Sequence, residues 1–305
     1  MYINCIGSVC SGSTKYSLFA DDLKLYSVVD VISGTSDLQL SIDNLAIWAR
    51  DWQLDINIEK CLVLGVRGFT RSTSNAAHSY FINGIVLSRF NSARDLGVVV
   101  DSSLSYKTQI NNCFTKAYQR TCVLFHGFLC RDLDFLRKAF VTYIRPLVEY
   151  NSVIWSPTHK TYIDLLEKIQ RRFTKRIPCM RDLPYLDRLA KINLPSLELR
   201  RLHFDLCNYF KIFQNLTPID PGLIYKYHVP PTSVRQNVPF IEKPRNCSNK
   251  FLSSFIYRSI DCWNFLPGKI KQISNINKFK AAITQIDLSS FLQGSCYTNL
   301  NNYNI

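Results

Sequence analysis

Two adjacent carboxylates, Asp21 and Asp22, follow Phe19-Ala20 and sit between two short apolar segments, residues 16–19 and 23–29. Only Ala20, Asp21 and Asp22 separate those segments, so the sequence predicts a tight β-hairpin carrying the carboxylates at its tip. That placement suits divalent-metal chemistry. Magnesium takes hard oxygen ligands, usually one or two carboxylates plus phosphates and water. Nucleotide transfer uses two such ions about 3.5–4 Å apart, one activating the attacking 3′-oxygen and one steadying the leaving pyrophosphate. Leu18, Phe19, Leu23 and Leu25 are expected to anchor the hairpin. The competing reading is structural, because aspartate is common in turns, where its side chain bonds nearby backbone amides.

A second chemistry is carried by cations. Residues 107–211 hold 19 Lys+Arg against 9 Asp+Glu, most of the chain's net charge of +14. Lys168, Arg171, Arg172, Lys175 and Arg176 are spaced to fill neighbouring faces of one helix, while Ile163, Leu166, Ile169 (or Gln170) and Phe173 turn to a core. Glu167 is the nearby acid at helical spacing for pairing with Arg171. Unpaired cations on such a helix would contact phosphates with little base readout. The alternative is a solvated, salt-laced helix face.

The elements that must position these groups fall into an α+β pattern. Up to about residue 103 the chain reads as mixed. After the hairpin comes a helix with Ser36 as N-cap and Leu38, Ile42, Leu45, Ala49 and Trp52 on one face. Residues 54–57 and 61–66 read as strands, residues 68–79 as a polar loop. Asn83-Gly84 is a hairpin turn needing positive φ, and residues 96–100 read as a buried strand. Beyond that, helices are expected over about 105–126, 132–149, 161–177, 185–192 and 196–214. A proline-rich stretch follows, then helices over 251–263 and around 276–286, and a frayed Asn-rich tail from Gly294.

With 47% hydrophobic and 13% aromatic residues, the chain of 305 residues has ample material for a core. Its basic excess points to a polyanion, nucleic acid or an anionic surface. No run of 18 apolar residues and no basic leader before an apolar stretch occur, so a secreted or membrane-spanning protein is not expected. The eleven cysteines are scattered, without Cys-x-x-Cys or zinc spacing, as in reduced thiols of a nuclear or cytoplasmic protein.

The ordered motifs resemble the C-terminal portion of a non-LTR (LINE-type, jockey-like) retrotransposon reverse transcriptase. Phe19-Ala-Asp-Asp22 is similar to that family's catalytic hairpin, and Met1-Tyr-Ile-Asn4 to the segment before it, though Cys5 stands where the family has aspartate. Trp48-x-x-x-Trp52-x-Leu54-x-x-Asn57-x-x-Lys60-Cys61 is similar to the palm helix and following strand. Phe81-Ile-Asn-Gly84 and Arg94-Asp-Leu-Gly-Val98 resemble the primer-grip block. Tyr143-x-Arg145-Pro146-x-x-Glu149-Tyr150, Trp155-Ser-Pro157, Leu165-Leu-Glu-Lys-x-Gln-Arg-Arg172 and Leu194-Pro-Ser-Leu-x-x-Arg-Arg201 resemble the thumb and beyond. Residues 258–267, with Phe279-Lys280, resemble the end of such polyproteins.

The resemblance implies the second half of a polymerase palm over residues 1–103, a basic helical thumb over 104–215 and a C-terminal helical and loop region over 216–305. It implies metal ligation by Asp21 and Asp22, with Asp21 the stricter ligand, and Lys60 near the triphosphate. Leu96, Gly97 and Val98 would shape the primer grip. The complete parent enzyme, an RNA-directed DNA polymerase, would use two Mg2+ (or Mn2+) ions. Its partners would be an RNA template and a DNA primer, with no small-molecule cofactor beyond a dNTP. The family's third aspartate and fingers lie upstream of this chain's start, and Asp30 and Asp37 are poorly placed as substitutes. The expectation is therefore a truncated polymerase inactive alone, with a non-catalytic nucleic-acid-binding remnant as the alternative.

Overall fold

The computed structural model describes residues 2–28, 32–66, 78–224, 226–228, 240–245 and 247–296. Most of the expected loop over 68–79, Asp30, and the tail from 297 onward lie outside them. The described residues mix helices with small two-stranded sheets, an α+β organisation. The chain divides into two compact units, residues 1–95 with 101–103, and residues 96–100 with 104–305.

In the first unit, β1 (Lys15–Phe19) pairs antiparallel with β2 (Asp22–Tyr26). Helix α1 (Ile32–Asp51) packs near β2 and near β4 (Phe81–Ile82). Gln39 ties α1 to β4: its Nε2 donates to the Phe81 carbonyl (2.9 Å) and its Oε1 accepts from Phe81 N (3.0 Å). Ile42 and Ala49 are buried as the helical spacing predicts, but Trp52 lies beyond the helix and is exposed. Ser36 is not the N-cap, because α1 starts four residues earlier. Gly34 explains this: a Cβ there would come within 2.2 Å of the Val28 carbonyl, so the first turn runs against the preceding chain where only glycine fits. Asp37 accepts from Ser13 N (2.9 Å) and Ser13 Oγ (3.0 Å), which commits its carboxylate locally.

Residues 54–57 are not a strand. They lead into a 3₁₀ turn, Ile58–Lys60, capped by the Asn57 side chain, before β3 (Leu62–Leu64). Asn83 and Gly84 take φ of 50° and 80° and join β4 to β5 (Ile85–Val86), the turn the dipeptide predicts. Strand β6 (Ser88–Phe90) pairs parallel with β3, and β7 (Ser92–Asp95) ends the first stretch of this unit. Its core is small: Ile42, Tyr80, Ile82 and Leu87, with Leu25, Leu38 and Val63 packed against them.

The second unit begins with a turn at Leu96 and Gly97, then β8 (Val98–Asp101). The expected buried strand over 96–100 is therefore shorter. Leu96 and Gly97 both have positive φ and are exposed, and only Val98 is deeply buried. The helices follow the predicted periodicity: α2 (Lys107–Gly127), α3 (Leu133–Ala139), α4 (Arg145–Glu149), α5 (Ser152–Trp155), α6 (Lys160–Lys175), α7 (Tyr185–Ile192) and α8 (Leu197–Phe213). The helix expected over 132–149 is interrupted by a π-helical turn at Phe140–Ile144, just before Pro146, whose missing N–H and ring disfavour a continuous α ladder.

After α8 come α9 (Pro221–Ile224), paired strands β9 (Tyr227–His228) and β10 (Phe240–Ile241), then α10 (Asn249–Ser253), α11 (Phe255–Arg258), α12 (Ile260–Phe265), α13 (Gly268–Lys271) and α14 (Ile276–Ile283). The single helix expected over 251–263 is thus three short ones, broken where Ser254 turns extended (ψ 154°) and at Ser259. Helix α8 serves two apolar clusters. Leu197 joins Phe140, Trp155, Leu166 and Phe173, while Tyr209 and Phe210 join Trp263 and Phe279.

Charge is buried along α8. Glu167 of α6 is fully buried and accepts from Tyr185 Oη, Leu197 N (3.2 Å) and Glu198 N (3.3 Å), so its carboxyl caps free amides at the start of α8. Arg201 is buried among Glu167, Glu198, Glu149 and Asp205, and its guanidinium makes no direct hydrogen bond within the described residues. Arg258 grips Asp205 through Nε and Nη2, each at 2.7 Å. All eleven cysteines are free thiols.

Candidate metal-binding hairpin and nucleic-acid interface

The β1–β2 register pairs Phe19 with Asp22 and Leu18 with Leu23, so the loop has two residues, Ala20 and Asp21, and Asp22 begins the second strand. Ala20 carries the turn at φ 53°, a left-handed conformation that alanine adopts at some cost. Both carboxylates are exposed. Leu18, Leu23 and Leu25 are half-buried anchors, as expected. Phe19 is not an anchor, because it is 64% exposed. Strand alternation puts Asp22 and Lys24 on one face. Lys24 pairs with Asp95 (2.6 Å), so that carboxylate is engaged by a lysine.

Asp21 and Asp22 are hard-oxygen donors of the kind magnesium takes. Among the described residues no group of three or more His, Cys, Asp or Glu side chains could hold a metal ion. Lys60 ends the exposed 3₁₀ turn, and no hydrogen bond or ion pair joins it to either aspartate. Of the expected primer-grip residues, Leu96 and Gly97 form an exposed turn and Val98 is core. The turn is pinned from within the second unit: Tyr150 Oη donates to the Leu96 carbonyl (2.9 Å), and a Cβ on Gly97 would lie 3.2 Å from the Tyr150 ring.

Helix α6 buries Ile163, Leu166, Ile169, Gln170 and Phe173, so both candidates at 169 and 170 face inward. Its five expected cations are not one patch. Arg171 lies over the Tyr185 ring (4.8 Å), towards α7. Arg172 lies over Tyr118 (4.7 Å) and Arg176 over Phe125 (4.4 Å), both rings belonging to α2. Lys168 and Lys175 are exposed. Tyr118 and Phe125 are seven residues apart on α2 and Arg172 and Arg176 four apart at the end of α6, so the stacks recur as two rungs along the packed pair of helices. A guanidinium over a ring can still offer N–H groups to a phosphate.

The pairing of Glu167 with Arg171 is not made, because Glu167 points inward to the start of α8. No acid among the described residues forms an ion pair with Lys168, Arg172, Lys175 or Arg176. Sequence reasoning missed the contribution of α2, where Lys116 and Arg120 are exposed one turn apart, and of Arg131, which also lies over Phe125 (5.6 Å). The available signal was Tyr118 and Phe125 at heptad spacing beside those cations.

Curated proteins resemble this chain at low identity. An RNA-directed DNA polymerase from the mobile element jockey of Drosophila funebris is 22% identical over 178 residues, covering 57% of this chain and 19% of its own length. A probable RNA-directed DNA polymerase from transposon BS of Drosophila melanogaster is 26% identical over 176 residues, covering 55% of this chain and 18% of its own. The chain is a distant relative of mobile-element polymerases. It spans about a fifth of the length of those it matches. An uncharacterized Caenorhabditis elegans protein is 26% identical over 151 residues, 48% of this chain and 71% of its own length. No protein-family model matches, and no solved structure matches. Among the described residues no helix is long and apolar enough to cross a membrane.

Proposed function

We propose that this chain is the C-terminal portion of a non-LTR reverse transcriptase, with residues 1–103 as palm, 104–215 as a thumb and 216–305 as the region that follows. Its own residues bind the duplex of RNA template and DNA primer. The observation that carries this reading is the pair of arginine-on-ring rungs, Arg172 on Tyr118 and Arg176 on Phe125, with no ion pair to either arginine among the described residues. Asp21 and Asp22 would hold Mg2+ or Mn2+ in the complete enzyme, Lys60 would meet the triphosphate, and the Leu96-Gly97 turn with Val98 would form the primer grip. A bound metal would lower the barrier to 3′-oxygen attack.

Binding of an RNA–DNA duplex is expected to weaken steeply as salt rises. The double variant R172A/R176A should lower the slope of log K against log salt by about 2, since each phosphate contact contributes about 0.9. A wild-type slope near zero would sink the proposal.

The second reading, a non-catalytic nucleic-acid-binding remnant, is supported by the lack, among the described residues, of any group of three or more His, Cys, Asp or Glu side chains that could hold a metal ion. Loss of one ligand from a concerted site is severe. Primer extension by the full chain in magnesium is expected to be absent, and robust extension would exclude the remnant.

A further inference from the structure

The loop between α2 and α3 presents an apolar tip beside the basic rungs. Leu129 is 91% exposed, and Phe128 and Val123 are also exposed. The tip is built, not loose. Arg131 Nη2 donates to the Phe125 carbonyl (3.0 Å), and its Nη1 donates to the carbonyls of Cys130 (3.2 Å) and Phe128. Phe128 N donates to the Leu124 carbonyl (3.1 Å), and its ring meets Phe135 edge-on at 5.2 Å. Asp132 accepts from Phe135 N (2.9 Å) and starts α3 at once. Leu129 therefore has a fixed mount and nothing to pack on.

The same Phe125 ring that carries Arg176 also carries Arg131, so the tip rises from a cationic base. An apolar side chain flanked by cations complements a partner that offers phosphates and, next to them, an apolar face. Nucleic acid with an unstacked base offers both, and proteins use Leu and Phe wedges in this way.

We infer that the Phe128–Leu129 tip wedges against an unpaired or end-exposed base of the nucleic acid whose phosphates Arg172 and Arg176 hold. This deepens the duplex-binding reading and rests on it. It specifies a junction as the preferred ligand over continuous duplex.

The test uses the full chain with two RNA–DNA duplexes, one fully paired and one with a single unpaired 2-aminopurine. The wild type should prefer the junction by about five-fold, the low end of a base-stacking contribution, and should change the 2-aminopurine fluorescence. L129S, at a side chain that packs on nothing, should lose the preference and the fluorescence change while keeping the salt slope. Equal wild-type affinity for both duplexes, or an unchanged preference in L129S, overturns the wedge and leaves the duplex-binding reading standing. A flat salt slope removes that reading, and the wedge with it. If L129S instead loses binding to phosphatidylserine vesicles and keeps its junction preference, the tip is a membrane element and the inference fails.

Discussion

Replacing Arg258 with alanine is expected to lower the stability of the second unit by about 3–5 kcal/mol, because it leaves a buried carboxylate without its cation. Arg258 and Asp205 side chains are 10% and 4% exposed. The guanidinium makes two 2.7 Å bonds to the carboxylate, donates to the carbonyls of Val153 (2.8 Å) and Ser253 (3.1 Å), and Ser259 Oγ adds a 3.0 Å bond to Asp205. One side chain thus holds α5, α8 and the α10–α12 region in register. Burial pushes the Asp205 carboxyl upward, and Arg258 with Ser259 opposes that push. Without Arg258 the acid either loses both guanidinium hydrogen bonds, keeping the nearby charge of Arg201, or takes up a proton. Denaturant unfolding followed by tryptophan fluorescence reads the loss through Trp155 and Trp263, which lie in this unit. The double variant D205L/R258M should recover most of it, since an apolar pair removes the desolvation penalty along with the attraction. A loss below about 1 kcal/mol for R258A would place the pair among ordinary surface bridges.

Much of this organisation was legible because it is local. The helices α2, α6, α7 and α8 follow from apolar spacing, and α7 ends at Ile192 as expected, where Asn193 takes the left-handed conformation at φ 51°. The Asn83-Gly84 and Ala20-Asp21 turns follow from short range as well. Some of the misreadings come from a contact made far along the chain. The Leu96-Gly97 turn is pinned by Tyr150, fifty-four residues away, and a leucine at φ 43° would not be inferred from neighbours. The break at Ser259 serves Asp205, on another helix. A glycine in the first turn of α1 hid its true start.

The candidate sites divide in the same way. The carboxylate hairpin was visible in four residues, but Asp95 reaches its face only through the ion pair with Lys24, which periodicity does not report. On α6 the spacing gave the cations and the core face correctly. It did not give their partners. Spacing alone makes Glu167 a surface counter-ion for Arg171, yet the amides at the start of α8 and the Tyr185 hydroxyl claim it. With that acid withdrawn, the arginines rest on rings, and this is the arrangement on which the proposed phosphate contacts are built.

His203 offers a sharp test of the buried charge along α8. Burial, followed by the nearby Arg200 cation, lowers its pKa from 6.5 to about 4. A depressed histidine keeps the folded state neutral where the unfolded chain already binds a proton. The unfolded state therefore holds more protons between about pH 6.5 and pH 4, and stability falls as pH falls through that window. The shift corresponds to a loss of about 3 kcal/mol, fully developed below the folded-state pKa. Glu167, Glu198 and Asp205 act in the opposite direction, because burial raises their carboxyls and the folded state takes up protons first. The wild-type profile is a sum of both, so the informative quantity is the difference between wild type and H203L. That difference should grow by about 3 kcal/mol in favour of H203L between pH 7 and pH 4. Parallel profiles across the window would mean that His203 reaches solvent and titrates normally, and that α8 is less tightly enclosed at this position than its neighbours Arg201 and Asp205.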